Sequence, residues 1–171
     1  MARALLVAVA VLAGCQGISP DTPQAIAELQ PTRGSKAAGT VHFYQLENKV
    51  RVVAKGSGLA PGREHGFHIH EAGDCSSGDG MSAKGHFDPG GMPHGHFSSA
   101  ERHAGDLPAL KADQGGASGL QVDLDLITVD PGPASIVGRG LIVHADPDDY
   151  RTQPTGNSGA RIACAVIRRV P

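Results

Sequence analysis

The sequence predicts an all-β domain, an antiparallel sandwich or barrel with two long functional loops. Three observations carry this expectation. Hydrophobic residues make up 40% of the chain, but aromatics only 4% and Trp is absent, so the core must be built from Val, Leu, Ile and Ala. The 24 Gly and 12 Pro leave little room for long helices. Short runs of alternating polarity separated by turn residues recur along the chain, and no helical period outlasts a turn or two. A chain of 171 residues is enough for one modest domain with a real core.

From the N-terminus, Arg3 precedes an apolar run, Ala4–Ala13, and small residues precede Cys15. This pattern reads as a secretory signal over residues 1–14, too short in its apolar part to span a bilayer. Leu12-Ala13-Gly14-Cys15 resembles the cleavage and lipidation box of bacterial lipoproteins, with ordinary signal cleavage nearby as the alternative. Residues 15–37, with Pro20, Pro23, Pro31 and several Ser and Thr, then read as a lipid-bearing cysteine and a flexible tether. Residues 38–171 form the folded domain.

Within that domain Gly39–Leu46 puts Val41 and Phe43 on one face, and Lys49–Lys55 does the same with Val50 and Val52. Glu47-Asn48 joins them as a hairpin. A turn at Pro61-Gly62 leads into a strand over Glu64–Glu71. Strand patterning returns at Gly119–Val129, Ser135–Ala145 and Ala160–Val170. Between them lie two irregular segments, Gly73–Ser118 and Asp146–Gly159. A patternless segment as long as the first is expected to be functional.

Formal charge is -2. No basic run or stripe appears, so the pattern excludes a nucleic-acid partner. If Cys15 carries lipid, Cys75 and Cys164 remain as a pair that an oxidising compartment allows to bond.

The chemistry begins at Phe67-His68-Ile69-His70. In a strand, His68 and His70 share one face while Phe67 and Ile69 anchor the other. Two imidazoles fixed in this way are half of a site for copper, zinc, iron or nickel. The first loop supplies His86, His94, His96 and His103, followed by Asp106. Three imidazoles and one carboxylate suit a closed tetrahedral zinc site, and ligand bonds offset the ordering cost of such a loop. His144, ending an apolar run, can complete a copper-type site with His68 and His70. His42 and His65 read as structural and His96 as surface-exposed.

Several separated segments carry a resemblance. Gly66-Phe67-His68-Ile69-His70-Glu71, Gly73-Asp74-Cys75, Gly85-His86-Phe87, Glu101-Arg102-His103-Ala104-Gly105-Asp106-Leu107, Leu141-Ile142-Val143-His144 and Gly156-Asn157-Ser158-Gly159-Ala160-Arg161-Ile162-Ala163-Cys164 together resemble the signature of copper/zinc superoxide dismutases. Cys75-Ser76-Ser77-Gly78-Asp79 and Pro93-His94-Gly95-His96 resemble the exported bacterial branch. The resemblance implies an immunoglobulin-like Greek-key fold. It implies copper bound by His68, His70, His86 and His144, and zinc by His86, His94, His103 and Asp106. It further implies a Cys75–Cys164 disulfide, Arg161 beside copper as the guide for the superoxide anion, and His86 as the shared, proton-carrying histidine. Asp148 matches the outer carboxylate linking a copper histidine to a zinc histidine.

Lys84, two residues before His86, is a candidate for substrate steering. Two departures stand out: Asp88 where asparagine is usual, and a second loop without a strongly charged run. The expected setting is the periplasmic side of a bacterial envelope, with membrane contact only through the lipid on Cys15 and a homodimer left open. A copper- and zinc-buffering module is the competing reading, but buffering does not need a bridging histidine or an arginine at the open copper face.

Overall fold

The computed structural model describes residues 22–171; the signal segment expected over 1–14 and the lipidation expected at Cys15 fall outside them. The strands are β1 Ala25–Pro31, β2 Ala38–Gln45, β3 Val50–Ser57, β4 Glu64–His65, β5 Phe67–His70, β6 Leu110–Lys111, β7 Ser118–Leu124, β8 Gly140–His144, β9 Arg161–Val166 and β10 Arg168–Arg169. Among the described residues the only helical element is a 3-10 turn, Met81–Ala83. The main sheet runs β5-β8-β9-β1-β2-β3-β7 with every pairing antiparallel, β10 lies beside the start of β1, and β4 pairs β6 separately. Because β3 pairs β7 and β5 pairs β8, neighbours in space are not neighbours in sequence. This is the expected all-β Greek-key arrangement, curled into a barrel.

The tether expected over residues 15–37 ends earlier than its composition suggests. Ala25, Ala27 and Leu29 alternate into the core, and residues 25–29 pair with β2 while Gln30 and Pro31 pair with β9. Strand β1 is therefore the seam that joins the two halves of the sheet. Burial of the alternate residues, with ladder bonds on both sides, overrides the Pro- and Ser-rich appearance of the segment.

Inward residues follow the alternation read from the sequence: Val41 and Phe43 on β2, Val50, Val52 and Ala54 on β3, Phe67 and Ile69 on β5, and Leu141 and Val143 on β8 all lie in one core cluster. Three strands are shorter or more broken than expected. The chain leaves the sheet after Leu124, so Leu126 turns to solvent while Ile127 and Val129 return to the core. Ser135–Arg139 forms a turn before β8, with Gly138 at positive φ. The strand over 64–71 is broken at Gly66, whose N–H turns to the Asp146 carbonyl.

Strands β5 and β8 are buried on both faces. One face packs on the core, and the other lies beneath the long loop 73–118. That loop folds back along β5: Phe87 N–H donates to Ile69 O, Ile69 N–H to Gly105 O, and Gly105 N–H to Phe87 O, all at 2.8–2.9 Å. Buried Phe87 and Leu107 anchor it. These main-chain bonds carry the residues just before and after them, His86 and Asp106, to the outer face of β5.

Candidate metal centre

On that face the described residues hold two groups of buried ligands, His68, His70, His86 and His144, and His86, His94, His103 and Asp106. Within each group the ligand atoms lie within 4.8 Å of one another, and His86 belongs to both. All the first-loop ligands expected from the sequence are brought together with β5 and β8. His96 is not; it packs against Phe97 and Tyr150 and bonds Ser98.

In the first group each imidazole uses one nitrogen elsewhere and leaves the other without a partner. His68 Nε2 bonds Asp148 Oδ2 at 2.6 Å, His70 Nδ1–H donates to Lys84 O at 2.8 Å, and His144 Nδ1–H donates to Gly159 O at 3.3 Å. His86 Nδ1 faces Asp106 Oδ1 at 2.9 Å. The remaining atoms, His68 Nδ1, His70 Nε2, His86 Nε2 and His144 Nε2, are buried with no hydrogen-bond partner. Buried polar atoms are rarely left unsatisfied, and four converging lone pairs are satisfied together by a cation. An all-imidazole set suits copper.

The second group fits a tetrahedral ion. Asp106 Oδ1 lies 2.9 Å from His86 Nδ1, 3.0 Å from His94 Nδ1 and 3.4 Å from His103 Nδ1, and the last is 3.3 Å from His86 Nδ1. A tetrahedron with zinc–ligand bonds of about 2.0–2.1 Å has edges of about 3.3–3.4 Å, so the cage is already close to size. The second Asp106 oxygen accepts the N–H groups of Gly95 at 3.1 Å and His103 at 2.9 Å, which turns the carboxylate inward.

Electrostatics separate the two groups. Burial pulls His70 well below its ordinary range, His86 to about 4 and His144 to about 3, so these ligands are neutral. Burial also lowers His94, but hydrogen bonds to Asp106 and Asp148 outweigh it and raise the group to about 9. Burial pushes both carboxyls up, yet their histidine partners hold Asp106 and Asp148 well below the usual carboxylate range. Asp148 spans the groups, because its Oδ1 accepts from His94 Nε2 at 2.9 Å. Asp148 stands where the resemblance puts the outer carboxylate; the support of His65, whose Nδ1–H donates to the His144 carbonyl at 2.8 Å, has no counterpart in the sequence reading.

Arg161 begins β9 opposite His144. Its Nη1 donates to Gly80 O at 2.7 Å and its Nη2 to Lys84 O at 2.6 Å, and burial lowers its pKa. The other guanidinium N–H groups remain for an anion. Lys84 Nζ lies 3.5 Å from Glu71 Oε1, both exposed, which weakens its field. Cys75 and Cys164 are disulfide-bonded and tie the loop bearing Gly80 to β9.

Fold and site together define a binuclear metalloprotein, a β-barrel with two adjoining ligand sets that share one histidine. The family described as copper/zinc superoxide dismutase (SODC) matches residues 37–167. "Superoxide dismutase [Cu-Zn] 2" of Aquifex aeolicus (strain VF5) is 39% identical over 149 residues, 85% of this chain and 86% of that protein. "Superoxide dismutase [Cu-Zn]" of Paramecium bursaria Chlorella virus 1 is 44% identical over 135 residues, 75% of this chain and 71% of the viral protein. "Extracellular superoxide dismutase [Cu-Zn]" of Brugia pahangi is 37% identical over 155 residues, 85% and 76% of the two chains. Among solved structures, that titled "Crystal Structure Analysis of the clock protein EA4" superposes with a TM-score of 0.79 at 37% identity, covering 90% of this chain and 98% of that one. The chain belongs to the copper/zinc superoxide dismutase family. It is an oxidoreductase of that family, with copper and zinc as cofactors and superoxide as substrate.

Proposed function

We propose that the chain dismutates superoxide in the bacterial cell envelope, with copper held by His68, His70, His86 and His144 and zinc by His86, His94, His103 and Asp106. The observation that carries this reading is the convergence of four partnerless imidazole nitrogens beside a half-buried guanidinium. Copper bound there supplies a one-electron Cu(II)/Cu(I) couple, through which two superoxide anions and two protons become dioxygen and hydrogen peroxide.

The protein's own groups do the rest. Arg161, fixed by two carbonyls, binds the incoming anion and orients it towards the histidines. His86 Nε2, partnerless and aimed into the first group, takes up a proton and hands it on, while its Nδ1 stays committed to the Asp106 side. Asp148 and the carbonyls of Lys84 and Gly159 fix the tautomers of His68, His70 and His144, so each presents a lone pair to the same point. His86, His94, His103 and Asp106 would hold zinc, which has no redox chemistry and would tie the first loop together. Lys84 adds a weak positive field at the rim.

The mature chain begins at a lipidated Cys15 and faces the periplasm; the name of one relative includes "Extracellular". No helix among the described residues is long and apolar enough to cross a membrane. Metabolic labelling with a fatty acid tests the anchor: label should enter the wild type and not Cys15→Ala. For the activity, protein loaded with copper alone, zinc alone or both is compared for superoxide removal. Removal should require copper. Retention of both metals without removal would replace catalysis by metal buffering.

A further inference from the structure

The turn between β1 and β2 lies ahead of the stretch matched by the family, residues 37–167, and ahead of the domain start read from the sequence. It nevertheless bonds both the main chain of Arg161 and the loop that receives its side chain. Thr32 Oγ1–H donates to the Arg161 carbonyl at 2.7 Å, and Thr32 N–H donates to Ile162 O at 3.1 Å. One residue on, Arg33 N–H donates to Gly78 O at 2.8 Å. Gly78 stands two residues before Gly80, whose carbonyl receives the Arg161 guanidinium.

The turn is built to hold this position. Ser35 N–H closes it on Thr32 O at 3.0 Å, and Gly34, third in the turn, has φ 82, as a type II turn demands. A Cβ on Gly34 would meet nothing within 4 Å, so its backbone angle, and not crowding, calls for glycine. The Arg33 side chain is exposed and forms no ion pair among the described residues, and its Nη2 lies 3.1 Å from where a Cβ on Gly78 would stand. On the same loop is Asp79, whose negative charge acts on Arg161 as well as on Arg33.

We propose that this turn belongs to the anion-guiding apparatus: Thr32 is a positioning residue that fixes Arg161, and Arg33 is a second guiding cation that offsets Asp79. The inference rests on the reading of Arg161 as the anion guide. Thr32 locks the main chain of Arg161 while Arg33 N–H locks the loop that receives its side chain, so one rigid turn sets the distance between them. The Arg33 charge acts through solvent at the mouth and is therefore screened by salt.

The test uses the copper- and zinc-loaded protein and azide as an anion probe, titrated optically at equal copper content with melting temperature recorded. Thr32→Val is expected to weaken azide binding at least about threefold at every salt concentration, with Thr32→Ser restoring it. Should Thr32→Val fail to fold, Thr32→Ala is the second variant lacking the hydroxyl. Arg33→Gln is expected to weaken azide binding about twofold or more at low ionic strength, the gap closing near 1 M salt, where the screening length is about 3 Å. Arg33→Lys should retain wild-type binding. Wild-type azide affinity in the variants lacking the hydroxyl overturns the positioning role; a wild-type salt slope in Arg33→Gln overturns the guiding role. Azide affinity reads the placement of Arg161 without turnover, so a protein that left superoxide untouched would still decide this inference.

Discussion

Asp148 and His68 are joined by a 2.6 Å hydrogen bond with both side chains buried, and the other Asp148 oxygen meets His94. One carboxylate thus sets the ring orientation in both ligand groups. Asp148→Asn is expected to lower zinc affinity about 10–100-fold, the usual cost of losing such an outer partner. Competition against a chromophoric chelator measures it; unchanged affinity would mean that the first loop is ordered without the bridge.

Gly156 makes room for that bridge. A Cβ there would lie 1.9 Å from Asp148 Oδ1 and 2.6 Å from His94 Nε2, at φ 67. Gly156→Ala should therefore reproduce the loss of zinc affinity seen for Asp148→Asn although it changes no ligand. The same chelator titration reads this, and a wild-type result would show that the second loop can move aside.

Stability of the metal-free protein should depend on pH in two opposite ways. His86 at about 4 and His144 at about 3 lie below the ordinary 6.5, so the unfolded chain binds their protons more readily. Their contribution is complete above about pH 6.5 and is lost as pH falls through the folded values. His94, raised to about 9, contributes fully below about pH 6.5 and loses that contribution as pH rises through 9. Calorimetry on metal-stripped protein should find the highest melting temperature near neutrality, with a fall on either side. A flat profile would contradict the assignment.

Zinc loading should displace about one proton at neutral pH, because His94 carries an extra proton in the metal-free protein and must release it to become a ligand. Titration calorimetry in buffers of different ionisation enthalpy counts the protons. Zero release would place His94 outside the zinc set.

Lys84 has φ 64 and ψ -146, a region that strongly favours glycine, while its carbonyl serves both His70 and Arg161. Lys84→Gly should keep the carbonyl and gain stability of about 1 kcal/mol by relieving strain. Denaturant titration decides; a loss of stability would show that the side chain supports the turn.

The sequence exposed most of this site because its ligands sit in patterns with a geometric meaning. Alternation alone put His68 and His70 on one face of β5, and the structure orients them so. What it could not expose depends on contacts distant in sequence. Strand β1 hid among Pro, Ser and Thr, because Ala25, Ala27 and Leu29 carry a weak strand signal until β2 and β9 flank them. The roles of Thr32 and His65 lie in bonds to main-chain carbonyls of Arg161 and His144, and no side-chain pattern announces such acceptors. The early end of β7 and the late start of β8 likewise reflect chain turns, at Asp125 onward and at Ser135–Arg139, that alternation does not announce.

The central claim is tested most directly by following superoxide after a radiolysis pulse, with the copper- and zinc-loaded protein beside Arg161→Ala. The expected result is rapid copper-dependent decay, slower by about tenfold or more in the variant. Decay no faster than in protein-free buffer, from protein that retains both metals, would contradict dismutation and leave a metal-holding barrel.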